Sequence, residues 1–332
     1  MISDRDNLDP IEPSTARDLF LEHKATECAN STVRNYRYAL KSFVTWCANE
    51  DIDNLNVLTG RHLHQFRVWR KNDGDLAPMT LRTQMSGLRV FLQWAGSIEA
   101  VPEDLYQKVM IPRVPREERR RTEMLESDRA QEILDYLAKF HYASIEHAVF
   151  AVFWETGMRL GAVVSLDVSD VDLEDEVLHL VHRPDQGTTL KNGKRGERPI
   201  AIRSQLATLL EDYIENTRSP VTDEYGRKPL FTASSTRRHR TSIRRIVYRV
   251  TAPCFQGKQC PDCADDPDLP CPEAVNPHAI RRGSITHFLT EDVPIQIVGD
   301  RMNVSRKVLK EHYDKRSEEV KLEQRRGYLD DI

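Results

Sequence analysis

From residue 13 to residue 95, apolar side chains recur at three- and four-residue intervals, the spacing that gathers them on one side of a helix. Residues 32–48 (TVRNYRYALKSFVTWCA) place Val33, Tyr36, Leu40, Phe43, Val44 and Cys47 on one face, with Asn30 or Ser31 as the expected N-cap. Residues 79–95 repeat the pattern with Leu81, Met85, Leu88, Phe91, Leu92 and Ala95. Weaker stripes over 13–28 and 60–71 complete a predicted four-helix unit whose aromatic positions read as core.

The pattern breaks at 112–121, PRVPREERRR. Pro112 and Pro115 remove backbone donors and restrict the residues before them, so a helix is not expected to run through. This divides the chain into a helical domain at 10–111, an arginine-rich linker at 112–124 and a second domain at 125–332. Beyond the linker, 128–141 and 144–155 read as helices, with 150–154 as deep core. The period then shortens. Residues 177–181 (VLHLV) and 198–202 (RPIAI) are strand-like, and Gly187, Asn192, Gly193 and Gly196 between them supply turn chemistry. Helical spacing returns at 204–216, 236–251, 277–290 and 305–314. The expectation is a mainly α protein with a small antiparallel β-sheet.

Composition narrows the class. The chain has 332 residues, 39% hydrophobic and 30% charged, too apolar for a disordered chain. It contains no run approaching the ~20 apolar residues that a membrane-spanning helix needs. The opening MISDRDNLDPIEPS lacks an apolar stretch, so a cytoplasmic location is expected. The net charge of -4 does not itself point to nucleic acid. The distribution does, because a protein meets a phosphate backbone with one face. Arginines cluster at 113–121 (Arg113, Arg116, Arg119, Arg120, Arg121) and at 237–249 (Arg237, Arg238, Arg240, Arg244, Arg245, Arg249). The planar guanidinium fork suits phosphate better than a lysine point charge.

Five further residues matter as an ordered set. Arg159 follows the turn Thr156-Gly157-Met158 at the end of an apolar helix. Lys191 lies on the loop between the two short strands, with Lys194 nearby on the same loop. His278 and Arg281 form an H-x-x-R pair on one helix face. Tyr313 follows in KEHYDKRS. This order resembles the tyrosine recombinase (phage integrase) family, in particular its archaeal integrase-like members, over most of the chain. The resemblance implies a helical N-terminal core-binding domain and a mixed α/β catalytic domain.

It also implies a chemistry that these residue types can perform. Arg159 and Arg281 would grip the non-bridging oxygens of a phosphodiester and neutralise the charge that develops during in-line attack. Tyr313 would attack the phosphorus, leaving a 3′-phosphotyrosyl link and a free 5′-hydroxyl. His278 would assist proton transfer, and Lys191 would protonate the leaving 5′-oxygen. The covalent link conserves the phosphodiester energy, so rejoining would need neither ATP nor a catalytic metal. The implied partners are double-stranded DNA and further copies of the chain, four at a synapse, with no membrane. Thr32, Arg34, Thr80, Arg82, Thr83, Arg113, Arg240 and Arg244 are candidate DNA contacts.

The sequence departs from the family at one position. A second His or Trp is usual about nine residues before the nucleophile, and here the stretch reads IVGDRMNVSRKVLKEHYD, leaving Arg301, beside Asp300, as a possible sixth site residue. Tyr328 and His312 are rivals to Tyr313, and the charged segment 315–328 is a candidate contact with a neighbouring protomer. Two other functions stay open. One is a catalytically inactive, zinc-stabilised DNA-binding regulator of the same fold; the other is a type IB topoisomerase-like relaxing enzyme.

Six cysteines are present in all. Cys28 and Cys47 fall in predicted helices and read as small buried hydrophobes. Cys254, Cys260, Cys263 and Cys271 are spaced C-x5-C-x2-C-x7-C in an insertion at 252–272 rich in Pro, Gly and Asp. A loop with so little apolar content needs a staple, and four thiolates suit a closed tetrahedral Zn2+ site. Disulfides are the competing arrangement, disfavoured in a reducing compartment.

Overall fold

The computed structural model describes residues 8–115, 123–260, 271–313, 319, 321–323 and 326. The chain divides into two compact units, Met1–Arg121 and Thr122–Ile332.

The first unit holds four helices: α1 (Pro13–Glu27), α2 (Asn30–Asn49), α3 (Gly60–Asn72) and α4 (Pro78–Ser97). Their stripes close on a core containing Phe20, Leu40, Phe43, Trp46, Phe66, Leu88 and Phe91. The rings meet edge to face, Phe20 with Phe91 at 5.4 Å and Phe43 with Phe66 at 5.2 Å, the arrangement that aromatic quadrupoles favour. The Thr59 side chain caps α3 by accepting from the His62 amide. At α2 the expected cap is not used: the N-cap is Ala29, without a side-chain bond, and Asn30 is already helical.

The second unit is built around α6 (Ile145–Thr156), in which every residue from His147 to Thr156 is buried. Helices α5 (Ser127–Phe140), α8 (Ser204–Asp212), α9 (Arg240–Thr251) and α10 (Pro277–Thr290) surround it. A three-stranded antiparallel sheet, β1 (Val171–Asp172), β2 (Val177–Leu180) and β3 (Arg198–Ala201), is ordered β1-β2-β3 and pairs Leu178 with Ile200 and Leu180 with Arg198. Leu178 and Ile200 bury their side chains, while His179 and Pro199 face outward, the alternation of a half-buried strand pair. Short α7 (Leu160–Ser165) precedes the sheet. Helix α11 (Ile295–Met302) and the single turn α12 (Arg306–Val308) follow α10, and α12 runs into a π-helical turn, Leu309–Tyr313.

The structure shifts one expected helix. Spacing predicted helix from 236, but α9 begins at Arg240, and Arg237 pairs as a β-bridge with Thr232. The Arg237 guanidinium enters a buried cluster in which Asp167 accepts from Arg237 and Arg227 and Asp223 from the same two arginines. Arg237 therefore belongs to the interior and not to a phosphate-facing surface. Charges so enclosed hold only while paired.

Candidate active site

Helix α6 ends at Gly157, whose left-handed φ of +55° turns the chain so that Arg159 precedes α7. The site of an added β-carbon at Gly157 lies 2.8 Å from the Met302 sulfur, so a larger residue here would also have to displace that side chain. Helix α10 starts with Asn276 capping the amides of His278 and Ala279. One turn on, Arg281 is 1% exposed, and His278 lies exposed at the helix mouth. Arg281 donates to the carbonyls of Gly157 and Met302, the latter at 2.8 Å, while its buried Nε–H has no partner.

Tyr313 closes the group. Its main-chain carbonyl accepts from Thr286 Oγ1 of α10 at 2.9 Å, and the residue belongs to a buried cluster with Ile285, Leu289, Met302 and Leu309. The phenol lies close enough to Arg159 and Arg281 to favour the charged form of both, and the Tyr313 and His278 ring centroids are 6.1 Å apart. Arg159, His278, Arg281 and Tyr313, spread over 155 residues of sequence, thus meet at one place.

A third arginine, not singled out from the sequence, joins Arg159 and Arg281. Arg198, at the start of β3, is pressed down to about 10 by burial and by the like charges of Arg281, Arg159 and Arg301. Burial and the Arg159 charge lower Arg281 to about 10 as well, and burial lowers Arg159. All three remain protonated at neutral pH. Among the described residues no carboxylate pairs with any of them. Their orientation comes from three consecutive peptide oxygens at the end of α11: Arg301 O accepts from Arg198 Nε at 2.7 Å, Met302 O from Arg281, and Asn303 O from Arg159 Nη2 at 3.1 Å. Three half-buried or buried cations without a counter-charge make a receptor for an anion, and the guanidinium fork fits phosphate oxygens.

Arg301 does not enter this pocket with its side chain. Its guanidinium donates to Ala201 O at 2.6 Å and Glu155 O at 3.0 Å and lies over the Phe288 ring. There it lines a separate cleft of about 590 Å³ together with Glu155, Arg203, His287 and Glu291. In the same stretch Asn303, whose peptide oxygen holds Arg159, is left-handed at φ 51°, a conformation asparagine tolerates. Lys191 is exposed on the β2–β3 loop next to Asn192, whose Nδ2 donates to Asn303 Oδ1 at 3.1 Å. Lys194 is exposed on the same loop.

The other expected site residues lie elsewhere in each unit. Thr80, Thr83, Arg34 and Arg113 are exposed and Thr32 is half-buried. Arg82 is half-buried and donates to Pro112 O at 2.7 Å. Arg240 and Arg244 project from the exposed face of α9, whereas Arg249 pairs with Glu146. Arg116, Arg119, Arg120, Arg121, Cys263 and Tyr328 fall outside the described residues, as does most of 315–328; nothing is described of the His312 side chain. Cys260 and Cys271 bring their sulfurs to 3.6 Å, and Cys254 is exposed. Among the described residues no three His, Cys, Asp or Glu side chains gather as a metal site. The four cysteines are thus not seen drawn together.

Comparison with known proteins identifies the family. The profile described as "Phage integrase family" matches residues 123–319, and that described as "Phage integrase, N-terminal SAM-like domain" matches residues 18–97. The chain belongs to the phage integrase family. Among curated relatives, it is 24% identical to tyrosine recombinase XerC of Stutzerimonas stutzeri over 58% of this chain and 64% of that protein. It is 21% identical to tyrosine recombinase XerD of Yersinia pestis over 84% of each. The chain therefore spans somewhat under two thirds of the first XerC relatives it matches. In fold it is similar to a lambda integrase dimer bound to a COC' core site (TM-score 0.66, 12% identity, 93% of this chain and 79% of that one). It is likewise similar to XerH site-specific recombinase bound to a palindromic difH substrate (TM-score 0.64, 15% identity, 91% and 82%). Among the described residues no helix is long and apolar enough to cross a membrane.

Proposed function

We propose that this chain is a site-specific DNA recombinase that cuts and rejoins duplex DNA through Tyr313, in DNA integration or excision. The observation that carries this function is the gathering of Arg159 and Arg281 at the Tyr313 phenol, with Arg198 close enough to both to feel their charge and no carboxylate paired with any of the three among the described residues. A scissile phosphate seated there has its non-bridging oxygens held by guanidinium N–H groups, including the unpartnered Nε–H of Arg281. A lone pair on the phenolic oxygen forms the bond to phosphorus, and the phenol proton passes to His278. The bond to the 5′-oxygen breaks, and that oxygen takes a proton from the Lys191 ammonium. The guanidiniums stabilise the extra negative charge of the pentacoordinate state, where fixed donors have their largest effect. The phosphodiester energy stays in the 3′-phosphotyrosyl link, so the reverse step needs no cofactor.

A nicked suicide duplex tests this reading, because loss of the short 5′-hydroxyl product traps the covalent complex. Wild-type protein should accumulate a DNA adduct and Tyr313→Phe none. DNA binding without any adduct would instead indicate a catalytically silent regulator of the same fold. Relaxation of supercoiled plasmid lacking any specific site would indicate a topoisomerase.

The exposed arginines of α9, with Arg34, Thr80, Thr83 and Arg113 of the first unit, are the proposed backbone contacts. Removing one phosphate-binding cation should reduce the steepness of log affinity against log salt by about 1. Arg240→Ala and Arg244→Ala, measured by fluorescence anisotropy over a salt series, should each do so; an unchanged slope removes that residue from the interface. Strand exchange between two duplexes implies four copies of the chain at a synapse.

A structural zinc on Cys254, Cys260, Cys263 and Cys271 remains the proposal for the insertion. Zinc–sulfur bonds of ~2.3 Å put tetrahedral sulfurs about 3.8 Å apart, close to the 3.6 Å between Cys260 and Cys271. Atomic emission on purified protein should find one zinc per chain, lost in Cys260→Ser; metal-free protein of unchanged melting temperature would overturn the assignment.

A further inference from the structure

The loop that carries Lys191 is tied down on both sides of the lysine. On one side the Leu190 amide donates to His182 Nδ1 at 3.1 Å, and Leu190 is buried. On the other, Asn192 Nδ2 donates to Asn303 Oδ1, and further along the loop Gly196 O accepts from Arg198 Nη1 at 2.9 Å. Both of these later ties end on the last turn of α11: Asn303 directly, and Arg198 through its bond to Arg301 O. Asn303 is a junction, because its own peptide oxygen holds Arg159.

An ammonium delivered to this pocket approaches three like charges, so electrostatics alone would swing an exposed lysine outward. Holding it there requires contacts that do not depend on its charge. From this arrangement we propose that the Asn192–Asn303 hydrogen bond is a clasp that keeps the Lys191 loop closed on the pocket, making Asn192 and Asn303 positioning residues for proton delivery to the leaving 5′-oxygen. The clasp links grip to release, since the residue that orients Arg159 on the phosphate also fixes the loop that protonates the departing sugar. The inference rests on the recombinase reading, with Lys191 as proton donor.

Replacing the bridging 5′-oxygen of the suicide duplex by sulfur separates positioning from general damage. A thiol has a pKa near 8.5 and leaves as the thiolate without being protonated. General acid catalysis typically contributes about 10²–10⁴-fold. With the oxygen substrate, Asn192→Ala should therefore slow single-turnover cleavage by about ten- to a hundredfold, less than Lys191→Ala does. With the sulfur substrate both variants should cleave within about threefold of wild type. Asn303→Ala should follow Asn192→Ala, and the double variant should be no slower than the worse single one. Equal slowing of Asn192→Ala on both substrates, or no slowing on oxygen, overturns the clasp while leaving the recombinase reading intact. If sulfur fails to restore Lys191→Ala, Lys191 is not the acid and the clasp falls with it; if wild-type protein forms no adduct on either substrate, it is the recombinase reading that has failed.

Discussion

Arg159 shows how much rests on the shape of one side chain. It contributes a planar fork at a fixed site, while lysine would offer one point charge of different reach. Arg159→Lys should keep DNA binding and lower single-turnover cleavage by about 10²–10³-fold, the usual cost of removing a fixed transition-state donor; a loss below tenfold in a quench-flow assay would remove Arg159 from that role. His147 works on stability instead. It is buried in α6 with an unpartnered Nδ1, and burial lowers its imidazole to about 4. The unfolded chain therefore takes up the proton first. The stability held above pH 6.5 erodes as pH falls and is spent near pH 4, amounting to about 3 kcal/mol. Urea unfolding across that window should show the loss, and His147→Leu should flatten it. The candidate residues Arg159, Lys191, His278, Arg281 and Tyr313 could be read in the sequence because they occur as an ordered set, and the structure brings Arg159, His278, Arg281 and Tyr313 together. Arg198 and Asn303 could not, because each acts through bonds to elements about a hundred residues away, and no local pattern encodes such a meeting. Arg301 drew attention by position alone, and its guanidinium faces the Glu155 cleft.

At the scale of elements, the long amphipathic helices of the first unit and α5 and α10 were readable because their stripes extend over three or more turns, and α6 because its continuous apolar run marks it as deep core. Helices α7 and α11 were not, with six and eight residues, and neither was the two-residue β1. Such elements form because neighbours complete their hydrogen bonds and cover them, so propensity summed over a short window carries little signal. The N-cap of α2 failed for a related reason: Asn30 was favourable as a cap, but the chain enters the helix one residue earlier. Helix α10, which carries His278 and Arg281, seats itself through Gly283. An added β-carbon there would lie 1.9 Å from Leu125 O, whose residue also donates its amide to Ala279 O. Gly283→Ala must push the 123–125 segment off the helix. It should cost about 1–3 kcal/mol, as overpacking does, and lower cleavage more than it lowers DNA affinity. Calorimetry with an unchanged melting temperature would contradict the close approach.

Across the whole molecule, the two units have two separate cores. The first unit closes on Leu88 and its aromatic neighbours, and the second on α6 and the sheet. Leu88→Ala should destabilise the first unit by about 2–5 kcal/mol. In a denaturant titration followed by hydrogen exchange, protection should fall in α1–α4 while that of α6 and α10 is kept; equal loss in both units would show one cooperative block. The three peptide oxygens at the end of α11 have a consequence for the second unit that side-chain partners would not. A carboxylate aiming an arginine also cancels its charge, competes with an incoming anion and surrenders its grip in acid. An amide oxygen aims the same group, stays neutral at every pH, and leaves the full positive field for the guest. No codon change at 301, 302 or 303 can delete such an acceptor, because it belongs to the main chain; only an ester in place of an amide, or a rerouted backbone, would weaken it.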